Sequence, residues 1–271
     1  MRAKPESFRT LLAVLLIAGM TGCGGGGDGG NAGAGGGGGT GDGFTGPPLT
    51  DVTSPQPGTA NTLMPIFSRP FTGEYPVLNY FDHDQPIHPK DTNGYQLTWR
   101  GARAFPGKDI GGYDGHIGID WLLPENTPLF AVTGGEVTLA GAEHFACVLQ
   151  DNEVVTQLTV RVKFVAPNGD WYTTVYTHLN RIDVAVGDIV TEGQQLALSG
   201  VTGCVGKSHL AHLHFQLEHY VSLNPPEAYY NDPYGWEGPG VDPWSAKGPG
   251  HTSVWMWKPG QAPDMVPRRP K

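Results

Sequence analysis

The stretch SHLAHLHFQLE, residues 208–218, holds three histidines within six positions: His209, His212 and His214. Read as a strand, it puts His212, His214, Gln216 and Glu218 on one face and Leu213, Phe215 and Leu217 on the other. Two imidazoles about 6.6 Å apart along a strand can converge on one metal ion or one reacting group. A second stretch, GGYDGHIGID (residues 111–120), supplies His116 and Asp120. A straight strand would hold that pair about 13 Å apart. A helix is opposed by the glycines and by the β-branched Ile117 and Ile119, so a loop that bends at Gly115 and Gly118 into a strand is predicted. A third, YTHL (residues 176–179), adds His178. Each stretch alone also has a bland reading as a polar-face histidine. Together, His116, Asp120 and one of His212 and His214 form two imidazoles and a carboxylate. That set suits one zinc ion with a fourth position open to water, as catalytic sites have. The histidines left over suit proton transfer or stabilisation of an oxyanion.

Short β-rich runs must position these groups. LTVRVKFV alternates strictly, with Leu158, Val160, Val162 and Phe164 on one face. Pro167-Asn168-Gly169-Asp170 then supplies a turn, and WYTTVY returns as the partner strand. No helix-length stretch carries apolar residues at three- and four-residue spacing. The expected fold class is therefore all-β, an antiparallel two-sheet domain over residues 63–222 with an active-site groove. Residues 223–271 hold Trp236, Trp244, Trp255 and Trp257 among many prolines and glycines. They are expected to pack back onto the domain as an irregular aromatic extension rather than to form a second core. Asp82, His83, Asp84 and His88 in FDHDQPIH read as turn-forming surface residues rather than as a second metal site.

The N-terminus reads as an export signal. Arg2, Lys4 and Arg9 precede the ten apolar positions Leu11 to Met20, too short a run to cross a bilayer. Met20-Thr21-Gly22-Cys23 resembles a bacterial lipobox, which predicts a signal peptide over residues 1–22, lipidation at Cys23 and attachment to a lipid bilayer. Residues 24–43 contain 14 of the 41 glycines. With the Pro- and Thr-rich text that follows, they make residues 23–62 a flexible tether. Loss of residues 1–22 would move the net charge from −9 to −11. An acidic domain lacks the Lys and Arg that replace counterions on nucleic acid, so a nucleic-acid partner is excluded. Outside the cytoplasm the remaining cysteines, Cys147 and Cys204, are a possible disulfide.

HIGID, YTHL and HLHF, in that order, resemble the motifs of the lysostaphin/LytM-type zinc metalloendopeptidases, which cut peptide cross-bridges of peptidoglycan. NTPLFAVTGGEV and GDIVTEGQQLALSGVTG resemble the connecting text of the same family, so the likeness runs from about Tyr80 to Glu218. The resemblance implies a fold of the duplicated hybrid motif type. It also implies one zinc ion bound by His116, Asp120 and His214, with His178 and His212 as catalytic histidines. Stem or cross-bridge peptides of peptidoglycan would be the substrate, and the location an exported, lipid-anchored one at the cell envelope. Asn126 stands where that family commonly has Gly, and Gln216 where Glu often follows HLHF. The competing reading is a catalytically inactive module of the same fold that binds the wall or activates other hydrolases. Such modules lack metal ligands, and here the ligand set is complete. A carrier domain, suggested by GDIVTEGQQLALSG, lacks a lysine at a hairpin tip.

Overall fold

The computed structural model describes residues 63–84, 96–104, 115–147, 150–206 and 209–263. The expected signal peptide, Cys23 and tether lie outside these residues, as do His88, Gly111 and Gly112. In chain order the strands are β1 (Leu63–Phe67), β2 (Val77–Asn79), β3 (Gln96–Leu97), β4 (Arg103–Ala104), β5 (Ile119–Trp121), β6 (Pro128–Phe130), β7 (Gly135–Cys147) and β8 (Glu153–Val165). They continue with β9 (Trp171–Thr177), β10 (Leu179–Ile182), β11 (Ile189–Val190), β12 (Gln195–Ser199), β13 (Leu213–Leu223), β14 (Pro226–Asn231) and β15 (Trp255–Trp257). No α-helix occurs among the described residues.

An antiparallel sheet runs β11-β7-β8-β9-β13-β5-β2, with β14 added beside β13. A second antiparallel sheet runs β10-β12-β6. The predicted alternation sets the core between them. Phe215 pairs with Tyr176, and Val160 and Phe164 of β8 pair with Tyr176 and Tyr172 of β9. All of these side chains point inward and are buried, and Leu129, Leu179 and Leu196 of the smaller sheet close over them. Leu213, Phe215 and Leu217 on β13 are fully buried. Each contributes roughly 1.5–3 kcal/mol relative to exposure. A slip of β13 by one residue would turn all three to the opposite face, so core burial is what holds His214 on the groove side.

The turn after β8 forms as expected, with Gly169 in left-handed backbone (φ +89°) and its N–H on the Ala166 oxygen. The long partner strand β7 was not among the expected strands. Its side chains are exposed or half-buried apart from Val137 and Cys147, so it carries little apolar alternation to read. Asn126 adopts φ +66°, a conformation that asparagine tolerates where other non-glycine residues resist it.

The extension after residue 222 is more ordered than expected. The boundary falls inside β13, β14 pairs with β13, and β15 pairs in parallel with β1. Tyr234 stacks on Trp99 with centroids 5.8 Å apart, and Trp257 meets Phe67 at 5.6 Å. These aromatics join the same core as Phe215. Strands of three and six residues between prolines, one paired with a partner nearly two hundred residues away, leave no periodic signature in the sequence.

Candidate active site

The central part of the large sheet brings together the three histidine stretches. On β13, His214 pairs with Asp120 of β5 on one side and with Thr177 of β9 on the other. His116 lies in the loop before β5. That loop bends as predicted: Gly115 has φ +78°, and His116 Nε2 comes within 3.2 Å of Asp120 Oδ1. Gly118 serves a different purpose from the expected bend. A Cβ there would lie 2.5 Å from the Phe215 oxygen and 2.8 Å from His214 Cε1, so glycine lets the loop lie directly against β13.

Three ligand atoms converge. His116 Nε2 is 3.0 Å from His214 Nδ1, and His214 Nδ1 is 2.8 Å from Asp120 Oδ1. Each outer atom of this trio is engaged. His116 Nδ1–H donates to the Tyr80 carbonyl at 3.0 Å, and Asn79 Nδ2 donates to Asp120 Oδ2 at 2.7 Å. His214 Nε2–H points to Gln216 Oε1 at 3.4 Å. The Gln216 amide is oriented in turn by its own N–H to Glu218 Oε1 at 2.6 Å, and Glu218 is held by Arg161. These outer bonds turn one nitrogen of each imidazole and one carboxylate oxygen inward. Ligands about 2.0–2.1 Å from a tetrahedral zinc stand about 3.3 Å apart, so the observed spacing fits that ion. Among the described residues this trio is the group of His, Cys, Asp and Glu whose ligand atoms converge in this way.

His212 and His178 flank the trio. His212 Nδ1–H donates to the Leu210 carbonyl and His178 Nδ1–H to the Thr202 carbonyl, each at 2.8 Å. A carbonyl only accepts, so in both rings the proton sits on Nδ1 and Nε2 is left free. The rings lie 4.4 Å apart, and His212 Nε2 is 4.0 Å from Asp120 Oδ2. His178 has φ +60° at the junction where the chain leaves β9 of the large sheet for β10 of the small one.

The electrostatics are those of a buried, crowded cluster. Burial opposes the charge on Asp120, but His116 and His212, together with bonds to His116 and His214, outweigh it and hold the carboxyl well below its usual range. Burial, reinforced by His212 and His214, drives the His178 imidazole well below its ordinary value. Burial lowers His214 as well, against the pull of Asp120. His178 is thus a neutral base near pH 7.

His209 is exposed, with φ +45°, and is not part of the trio. The acidic segment Asp82–Asp84 differs from the surface turn expected of it, because Asp82 and His83 are both fully buried. Asp82 accepts the N–H groups of Leu97 and Gly115 at 2.9 Å each, which anchors the loop that carries His116. His83 lies between two carboxylates, Nδ1 3.0 Å from Asp242 and Nε2 3.0 Å from Asp232. Its two nitrogens face opposite ways, so it bridges charges and chelates nothing. Cys147 and Cys204 are joined as a disulfide, with Cα atoms 5.3 Å apart. Asn79, Tyr80 and Asp82 escaped the sequence reading as braces of the site. The site residues they hold, Asp120, His116 and Gly115, lie more than thirty residues away, and the pairing of β2 with β5 brings them close.

Residues 114–225 match the model of Peptidase family M23. Peptidoglycan DD-endopeptidase ShyA of Vibrio cholerae is 34% identical over 102 residues, which is 38% of this chain and 20% of that protein. Glycyl-glycine endopeptidase ALE-1 of Staphylococcus capitis is 32% identical over 101 residues, 37% of this chain and 24% of that protein. The chain thus spans about a fifth to a quarter of these relatives' length. The catalytic domain of the antimicrobial peptidase lysostaphin from Staphylococcus simulans is 28% identical, with a TM-score of 0.31, over 43% of this chain and 78% of that one.

Proposed function

We propose that this chain carries a Peptidase family M23 domain and that the domain is a zinc endopeptidase that hydrolyses stem or cross-bridge peptides of peptidoglycan. The chain would be exported and tethered to the cell envelope by lipid on Cys23. The observation that carries the reading is the convergence of His116 Nε2, Asp120 Oδ1 and His214 Nδ1 beside two imidazoles with free Nε2 atoms. The two aligned relatives are named as endopeptidases, one of them of peptidoglycan. The tether rests on the lipobox-like Met20–Cys23 and the glycine-rich run behind it. No helix among the described residues is long and apolar enough to cross a membrane.

In this reading His116, Asp120 and His214 hold one zinc ion, with Tyr80, Asn79 and Gln216 fixing the orientation of each ligand. Zinc supplies a Lewis acid for the scissile carbonyl and lowers the pKa of water toward neutrality. His212 and His178 present Nε2 to the reacting group. One takes the proton from water onto its Nε2 and, as Nε2–H, hydrogen-bonds the oxyanion of the tetrahedral carbon or returns the proton to the leaving amine, while the bare Nε2 of the other accepts a hydrogen bond from the attacking water and orients it. No covalent bond to the protein is required. The inactive-module reading is disfavoured because all five residues are present and the ligand atoms converge.

The test measures bound zinc and the mass-spectrometric products of purified peptidoglycan for wild type, His214→Ala and His212→Ala. His214→Ala is expected to lose zinc. His212→Ala is expected to keep it and to lose about 10²- to 10⁴-fold in turnover. A wild type that binds one zinc yet releases no peptide from any sacculus would establish the binding-module alternative instead.

A further inference from the structure

Residues 200–206, GVTGCVG, join β12 to the approach of β13 and contain glycine at 200, 203 and 206. Gly203 and Gly206 both have positive φ, at +86° and +69°. A segment of this composition has little intrinsic preference for one conformation. Yet its Thr202 carbonyl accepts the Nδ1–H of His178 at 2.8 Å, and that bond leaves His178 Nε2 free. The loop is pinned from outside. Thr202 Oγ1 donates to the Leu179 carbonyl at 2.8 Å and accepts the Leu158 N–H at 3.1 Å. Two residues on, Cys204 is bonded to the fully buried Cys147 at the end of β7. Gly203 lies so close to Gln157 of β8 that a Cβ would fall 2.6 Å from that side chain.

The converging trio has no such dependence. His116, Asp120 and His214 are braced by Tyr80, Asn79 and Gln216 and by the pairing of β13 with β5, none of which passes through this loop. We propose that the Cys147–Cys204 disulfide is a positioning element for His178: by fixing the loop against the β7–β8 hairpin, it holds the Thr202 carbonyl that sets the ring's tautomer and direction. The bond acts through His178 on turnover and leaves metal binding untouched. The inference rests on the catalytic reading of His178 given above.

The test compares the zinc-loaded full chain with its Cys147→Ser/Cys204→Ser variant. Wild type treated with dithiothreitol and then reoxidised serves as the second arm in case the variant does not fold. In that arm dithiothreitol becomes a cyclic disulfide and the protein gains two thiols. Zinc per chain, kcat and KM on a cross-bridge peptide, and the ring ¹⁵N shifts of His178 are recorded. Breaking the bond is expected to leave one zinc per chain and KM unchanged and to lower kcat about ten- to a hundredfold, as for small misplacements of reacting groups. The His178 ring should pass from one Nδ1–H tautomer to a mixture, and reoxidation should restore both readouts. Unchanged kcat and unchanged shifts would overturn the proposal. Loss of zinc together with turnover would also overturn it, since the bond would then staple the whole domain. If wild type cleaves nothing, the proposed function fails by itself, and the ring shifts still decide whether the bond positions His178.

Discussion

Raising the pH from 6.5 to 9 should weaken this protein through one residue, His83. Burial disfavours its charged form, but hydrogen bonds to Asp232 and Asp242 and their negative charges outweigh that and push its pKa up to about 9, from 6.5 in an unfolded chain. A group whose folded pKa is raised stabilises the fold fully below the unfolded value. That contribution falls by about 1.4 kcal/mol per pH unit through the window and is gone above pH 9. The whole effect is about 3 kcal/mol, or roughly 6–12 °C in Tm for a domain of this size. His83→Gln supplies the control. It leaves Asp232 and Asp242 buried without a cation, which costs about 3–5 kcal/mol at pH 6.5. Calorimetric Tm values of wild type and variant, zinc-loaded and collected every half unit from pH 6 to 9.5, cancel the titration of the other histidines. The gap between the two proteins should shrink by about 3 kcal/mol across the window. A gap that stays constant would mean that His83 is neutral in the folded protein, and the charge-bridge reading would be wrong.

Two further outcomes follow from the geometry around His116, Asp120 and His214. Asn79→Ala removes the donor to Asp120 Oδ2, so zinc affinity measured by competition with a chelator should drop about 10- to 100-fold. Gly118→Ala places a methyl 2.5 Å from the Phe215 oxygen; it should push the His116 loop off β13, lower stability by about 1–3 kcal/mol and weaken zinc binding, both read on the same sample by thermal melts with and without metal.

The sequence by itself determined the chemical set and the local elements that carry it. Strand alternation in HLHFQLE is a property of the backbone, and it puts His214 and Gln216 opposite Leu213, Phe215 and Leu217 whatever the rest of the chain does. The alternating run through Phe164 and the turn at Asn168-Gly169 are local in the same sense, so the β8–β9 hairpin was legible too. Tertiary structure decided how the groups meet. A bend of a few residues brings His116 and Asp120 from a strand distance of about 13 Å to contact. The braces from Asn79 and Tyr80 need the β2–β5 pairing, and the bond from His178 to Thr202 needs a loop pinned by Cys204. His83 was misread as a surface residue because its burial depends on Asp232 and Asp242, some 150 residues downstream. Periodicity and spacing report what a segment does with its own backbone. Burial, ion bridging and ligand orientation depend on partners distant in sequence, and those are set only when the chain closes on itself.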